Sequence, residues 1–433
     1  MSIVVMSFFK KYLKKKDKKT YSLVFKKLIT CVKMTQMNLN KNLICFTGGG
    51  TGGHIYPGLA VADELKALAK ENNKEIKIYW IGCSKGMDRN IVEKACGPDG
   101  KPTADKFYGI PSGKLRRYFS LKNFSDLFRI AGGFFAAFHI LRKERPSALF
   151  SKGGFVSVPP CLAAHFLHIP VYTHECDFTL GLANRINFKS ADCMFVSYEE
   201  TKNRLGAADQ KRVLVTGNPV RPVFYNTNAQ KGRVFLGINS DKQNENKKPV
   251  LLILGGSSGA RQINELVYEN IAFLCEHFIV VHQTGLVNAD DDRASALAEK
   301  YKNSYKPYNF IYKEMPDVVA AADVILSRAG ANSIWEAAVL LKPMVLIPLC
   351  GNGTRGDQVD NAEFFRSRNA AEVLLGKEAD SEHLTAALTQ MLDVSKRALY
   401  SEALKKLTGN EPPAQKIAKI LFKEINAEKG ERK

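Results

Sequence analysis

A short apolar strand running into a glycine turn and then a helix occurs twice in the chain, and this restart constrains the fold more than any other feature. The first copy is Asn42–Thr47 (NLICFT), the turn Gly48–Gly53 and a helical pattern over Pro57–Leu68. The second is Val250–Leu254 (VLLIL), the turn Gly255–Gly259 and a helix beginning at Arg261. After the first unit, further apolar runs of strand length fall at Ile76–Ile81, Ala148–Phe150, Val171–Thr173, Cys193–Val196 and Val213–Thr216. After the second they fall at Phe278–His282, Asn309–Ile311, Val324–Leu326 and Met344–Ile347. Strands alternating with helix-length segments are the mark of parallel, doubly wound α/β sheets. A chain of 433 residues has room for two of them.

The break between the two series is Gly217-Asn218-Pro219-Val220-Arg221-Pro222, followed by a polar stretch, Asn239–Pro249, that reads as a surface loop. The expected division is a basic extension over 1–41, a first Rossmann-like domain over 42–217 and a second over 218–433. Open sheets of this kind bind ligands beyond the carboxyl ends of their strands. Function is therefore expected in a crevice between the two domains.

Composition adds bounds. Lys and Arg total 63 against 43 Asp and Glu, a formal charge of +20, and residues 1–41 hold eleven lysines against the single acid Asp17. The remaining excess suits an anionic substrate, membrane surface or nucleic acid equally. Nine cysteines with no C-x-x-C spacing give neither a zinc site nor a disulfide framework, which points to a reduced, intracellular protein. No apolar run reaches the length of a spanning helix, so any membrane contact is expected to be peripheral.

In the extension, apolar Met1–Phe9 precedes the lysines, the reverse of an export signal. Two readings stand side by side. Tyr21, Val24, Phe25, Leu28, Ile29 and Val32 recur at helical spacing opposite Lys26, Lys27 and Lys33, as in an amphipathic helix on anionic lipid. Alternatively, Met34 or Met37 is the start, and the extension is unstructured or never made.

Gly48-Gly49-Gly50-Thr51-Gly52-Gly53-His54 satisfies G-x-G-x-x-G between a strand and a helix. A dinucleotide enzyme would close its second strand with an acid, whereas here Gly82, Cys83 and Ser84 follow. What remains is a backbone able to approach a diphosphate at a helix N-terminus. Ser151-Lys152-Gly153-Gly154-Phe155 repeats the arrangement, bringing two glycine loops and a lysine toward one edge. Gly255-Gly256-Ser257-Ser258-Gly259 spells the hydrolase elbow, but His277, His282 and His383 occupy the wrong places for a triad, so Ser257 reads as a hydroxyl donor to phosphate. Asp290-Asp291-Asp292 suggests a metal motif, yet acids are expected at the start of the helix predicted over Ala294–Lys302.

The densest constellation is Ser327-Arg328-Ala329-Gly330-Ala331-Asn332-Ser333-Ile334-Trp335-Glu336. A glycine turn opens a helix whose amides hold phosphate, and Glu336, one turn in, can accept both hydrogen bonds of a ribose diol. Downstream, Asp357, Gln358 and Asn361 are amides and carboxylates suited to sugar hydroxyls.

GGGTGGHIYPGLAVADEL, YGIPSGKLRRYFS, SKGGFVSVPP, HECDFTLGLANRI, TGNPVR, LGGSSGARQIN, SRAGANSIWEA and DQVDNA, in this order over about residues 42–425, resemble the bacterial N-acetylglucosaminyl transferases that convert lipid I to lipid II in peptidoglycan synthesis. The resemblance implies a GT-B fold: two Rossmann-like domains facing across a cleft, with a final helix crossing back to the first. It implies inverting transfer of GlcNAc from UDP-GlcNAc to the 4-hydroxyl of the MurNAc on undecaprenyl diphosphate. The implied partners are UDP-GlcNAc, lipid I, the anionic cytoplasmic face of the cell membrane and other cell-wall synthesis proteins. No cofactor, metal or nucleic acid is implied.

By the same resemblance, Thr51, Gly52 and Gly53 with Asp177 lie toward the sugar, Arg221 and Ser257 near the donor diphosphate, and Met315 by the uracil. Ala331, Asn332, Ser333, Ile334, Trp335 and Glu336 surround phosphate and ribose, and Gln358 takes the GlcNAc hydroxyls. His54 and Glu175 are the two candidates for the base. The family's frequent H-E-Q-N stands here as His174-Glu175-Cys176-Asp177, and a carboxylate at 177 accepts hydrogen bonds but cannot donate them. Another GT-B transferase with a lipid acceptor, and a basic nucleic-acid-binding module, are the competing readings. The module lacks any recognition signature.

Tyr118, Phe119, Phe124 and Phe128 interleave with Lys114, Arg116, Arg117, Lys122 and Arg129, an apolar patch ringed by base that suits a lipid surface. Phe134, Phe135 and Phe138 fit either that surface or a helix's core face.

Overall fold

The computed structural model describes residues 39–113, 122–238, 248–256, 258–288, 292–351 and 356–426. Residues 1–38 of the extension, Ser257, Tyr118 and Phe119 lie outside them, as do Asp290 and Asp291.

The first seven strands are β1 (Asn40–Thr47), β2 (Lys77–Cys83), β3 (Lys106–Ile110), β4 (Pro146–Ser151), β5 (Val171–Glu175), β6 (Cys193–Val196) and β7 (Val213–Val215). They form one parallel sheet in the order 3-2-1-4-5-6-7. Both faces are covered, which is why these strands read as continuous apolar runs rather than alternating ones. On one face Ile44, Phe46, Trp80 and Phe150 pack with Leu59 and Leu65 of helix α1 (Tyr56–Glu71). On the other, Cys45, Ile81 and Leu149 pack with Ala137 and Leu141 of helix α2 (Lys122–Glu144).

The second sheet is also parallel: β8 (Val250–Leu254), β9 (Ile279–Gln283), β10 (Tyr305–Tyr308), β11 (Val324–Ser327), β12 (Met344–Leu346) and β13 (Glu372–Val373), in the order 10-9-8-11-12-13. Helix α3 (Ala331–Val339) follows β11 and helix α4 (Asp357–Arg366) follows β12. The last helix, α5 (Pro413–Asn426), sets Ile417, Ala418, Leu421 and Ile425 in the core shared by α1 and the first sheet.

The chain-order reversal in each sheet lies between its first and fourth strands, β1 and β4, then β8 and β11. Each reversal leaves a crevice beyond the strand ends. The turns entering these crevices are Gly48–Gly53 with Ser151–Phe155 in one lobe, and Gly255–Gly259 with Ser327–Gly330 in the other. They are the turns whose composition stood out in the sequence.

Three readings need correction. The strand expected at Asn309–Ile311 is instead Tyr305–Tyr308, which carries Pro307; as an edge strand it tolerates the missing N–H there. β3, interrupted by Gly109, and the two-residue β13 were too short and weakly apolar to recognise. Of the α2 aromatics, Phe134 and Phe138 pack on the core, whereas Phe128 and Phe135 are 66% and 54% exposed. The run therefore divides between both readings rather than following one.

Candidate active site

The first glycine turn is held open by an acid that sequence reasoning missed. Asp88 is buried and accepts from Gly50 N at 2.9 Å and Cys83 N at 2.8 Å, clamping the turn to the end of β2. A Cβ on Gly49 would stand 1.9 Å from the Asp88 carboxylate, so the glycine permits this clamp. Gly50 and Gly154 adopt φ of 83° and 78°, backbone that favours glycine. A Cβ on Gly154 would lie 2.6 Å from Gly49 O, so the two turns nest directly against each other. At the end of this nest sits His54, half-buried, with Nδ1 2.9 Å from Thr51 Oγ1.

At the end of β5, His174 is enclosed, with Nε2 3.0 Å from Gly217 O. Burial and then the neighbouring Lys152 charge push its pKa well below the usual histidine range, leaving a neutral ring that ties β5 to the inter-lobe linker. Glu175 is buried too. Its Oε1 accepts from Asp177 N at 3.1 Å, and its Oε2 accepts from Gly181 N at 2.9 Å and Asn184 Nδ2 at 3.0 Å. Burial, followed by repulsion from Asp177, raises the Glu175 pKa, and the three N–H donors oppose that rise. A carboxylate so engaged folds its own loop and is poorly placed to receive a substrate proton.

Glu175, Cys176 and Asp177 each present a ligand-type atom within 4.8 Å of the others. The grouping does not suit a cation. Glu175 already serves three donors, burial pushes the Cys176 thiol up to about 12, and the Lys152 ammonium stands beside it.

In the second lobe, α3 begins at Ala331 after Gly330. The side chains of Ile334 and Trp335 are core, with Trp335 Nε1 donating to Tyr198 OH at 3.1 Å across the lobes. Asn332, Ser333 and Glu336 stay half-buried on the other side of the helix. Arg221 in the linker donates to Glu336 Oε1 from Nε at 3.3 Å and from Nη2 at 3.2 Å. Its guanidinium also lies over the rings of Tyr56 and Phe224, 4.9 Å from each. Burial raises the Glu336 pKa, and Arg221 counters it.

The lobes meet at Gly53 and Asn332 and again along α4. Asn332 Nδ2 donates to Gly53 O at 3.2 Å, Thr179 Oγ1 to Asp360 Oδ2 at 2.8 Å and Phe178 N to Asn361 Oδ1 at 3.4 Å. Thr51–His54, Arg221, Asn332 and Glu336 are thus brought to one crevice, and Asp177 sits beside the loop that bridges it. Gln358 opens α4, with Oε1 accepting from Leu349 N at 2.9 Å. Asn361, expected to read sugar hydroxyls, is instead fully buried, bonded to Phe178, Tyr198 and Ala329. Met315 starts the helix Met315–Ala321 and packs on the second-lobe core. His282, weighed for a hydrolase triad, is buried between Tyr305 OH and Asn264 Oδ1, and burial lowers its pKa to about 3.

Two family models match the chain, the glycosyltransferase family 28 N-terminal domain over residues 44–196 and the family 28 C-terminal domain over 250–420. The chain is 48% identical, over 87% of its length and 96% of the relative's, to the UDP-N-acetylglucosamine–N-acetylmuramyl-(pentapeptide) pyrophosphoryl-undecaprenol N-acetylglucosamine transferase of Treponema denticola. It is 39% identical, over 85% and 96%, to the second such transferase of Bacillus cereus. The crystal structure of Acinetobacter baumannii MurG shares the fold, with a TM-score of 0.62 at 23% identity, covering 88% of this chain and 99% of that one. The Neisseria meningitidis UDP-GlcNAc 2-epimerase bound to UDP-GlcNAc shares it as well, with a TM-score of 0.58 at 17% identity, covering 88% and 98%.

Proposed function

The chain belongs to glycosyltransferase family 28, and from that premise we propose that it transfers GlcNAc from UDP-GlcNAc to the 4-hydroxyl of the MurNAc in lipid I, producing lipid II and UDP. Its two parallel-sheet lobes are the GT-B architecture. The observation that carries the reading into this site is the Asn332–Gly53 contact, which brings the switch-point turn of one lobe against the helix N-terminus of the other.

In this reading the donor diphosphate lies at the start of α3, where unpaired amides and Arg221 receive its charge. Both Arg221 bonds fall on Glu336 Oε1, which leaves Oε2 for the ribose diol. Ser257 adds a hydroxyl to the diphosphate, Met315 supports the uracil, and Gln358 with Asp177, Thr51, Gly52 and Gly53 surrounds the sugar. Ala331, Ile334 and Trp335 contribute through the helix backbone that their packing fixes. His54 removes the proton of the 4-hydroxyl as that oxygen bonds to the GlcNAc anomeric carbon. The bond from that carbon to the phosphate oxygen breaks, and the electron pair leaves on UDP. One displacement inverts the anomeric centre.

Turnover of UDP-GlcNAc with a lipid I analogue, read as UDP release and product mass, tests the reading. UDP is expected with that acceptor and not with unrelated lipid-linked sugars. Release with other acceptors alone overturns the assignment, as does tight binding to random DNA without turnover.

Among the described residues no helix is long and apolar enough to cross a membrane. Support for docking on the cytoplasmic membrane surface comes from Phe128 and Phe135 on α2, both exposed, with the 60%-exposed Arg129 side chain beside Phe128. Co-sedimentation with phosphatidylglycerol vesicles is expected and should fall several-fold in a Phe128→Ser, Phe135→Ser double variant. Equal sedimentation of both proteins would move the surface elsewhere.

A further inference from the structure

Lys152 is the residue on which the crevice of the first lobe leaves a charge unanswered. It follows β4 immediately, and its N–H donates to Thr47 O at the end of β1 at 2.9 Å, which places it at the switch point of the sheet. Its stem passes between the first glycine turn and α1: a Cβ built on Gly48 or Gly58 would lie 3.3 or 3.7 Å from Lys152 Cβ. The side chain is 1% exposed, and no hydrogen-bond partner satisfies Nζ. Among the described residues no carboxylate lies within ion-pair distance of it.

The groups it acts on are the His174 ring and the Cys176 thiol, and both are neutral. His174 Nδ1 is itself buried without a partner. Glu175, which precedes Cys176 in the chain, is held by its three N–H donors instead. A buried ammonium with no carboxylate partner costs a fold stability, and an orphaned group of this kind calls for an explanation, a bound anion among them.

We propose that Lys152 is a further substrate-binding residue, whose ammonium takes a phosphate oxygen of a diphosphate reaching the sheet's switch point beside the two nested glycine turns. The inference rests on the transfer reaction above, in which both donor and acceptor carry a diphosphate. Glycine-turn amides orient such a group, and the ammonium adds the full charge they lack. Access comes as the lobes part, because the segment after Cys176 is pinned to α4 through Phe178 and Thr179.

The test compares the full chain with Lys152→Met, a near-isostere without the charge. Because an unpaired charge is removed, the melting temperature is expected to stay level or rise, so a lost signal is not a lost fold. If the acceptor supplies the diphosphate, the KM for the lipid I analogue rises at least thirtyfold while the donor KM stays within threefold. If the donor supplies it, the donor KM and the UDP Kd rise instead. Both KM values within threefold of the parent, or a fall in kcat alone, overturn the proposal. Calorimetry with inorganic pyrophosphate separates this idea from the reaction reading, because it needs no turnover. The parent should bind and Lys152→Met should bind at least tenfold more weakly, whereas equal binding overturns the role of Lys152 whatever the substrate.

Discussion

Replacing His54 by alanine is expected to lower kcat by about 10²–10⁴-fold, the usual worth of a positioned general base, while leaving the UDP Kd within about twofold. The imidazole stands on the 3-10 turn Gly52–His54, between the nested glycine turns and the first residue of α1. Nδ1 shares a hydrogen bond with Thr51 Oγ1 across 2.9 Å, which orients the ring where the two glycine turns meet. Glu175 competes poorly for the role, since both of its oxygens already accept from backbone or amide N–H groups. Steady-state kinetics and UDP calorimetry on His54→Ala and Glu175→Gln decide between them. A His54→Ala enzyme with near-parental kcat beside an inactive, folded Glu175→Gln enzyme would transfer the base to Glu175.

The second large effect is expected on donor binding. Glu336→Ala should raise the UDP Kd by about 30–150-fold, about 2–3 kcal/mol for hydrogen bonds to a charged group. The substitution removes the carboxylate assigned to the ribose diol and also deprives Arg221 of its partner at 3.2 Å. Comparing UDP with its 2′,3′-dideoxy analogue isolates the diol contribution. The parent should discriminate between the two strongly, and Glu336→Ala hardly at all, as expected when both changes delete one interaction. Undiminished discrimination in the variant would place the diol elsewhere.

Much of this site was legible because its chemistry is local. A strand, a glycine turn and a helix start are consecutive in the chain, so Thr51–His54 and Asn332–Glu336 are recognisable without knowing what they face. Asp88 escaped notice because its partners, Gly50 N in a glycine turn and Cys83 N at the end of β2, are backbone groups far apart in the chain, and nothing in composition marks an acid that serves them. Asn361 misled for the opposite reason. Beside Asp357 and Gln358 it reads as one more sugar-facing amide, yet on helix α4 it turns inward, where it is fully buried. Lys152 was visible as a lysine near two glycine loops, but only its burial reveals that its charge lacks an answer.

Strand periodicity, glycine placement and the order of the motifs suffice to specify two doubly wound sheets and the turns that open on their crevices, because those preferences act over a few neighbouring residues. Which side chains stand across from one another, such as Asn332 against Gly53 and Arg221 between Tyr56 and Glu336, was decided by the packing of two lobes. Contacts between residues far apart in the chain depend on long-range burial, which leaves no periodic trace in the order of amino acids.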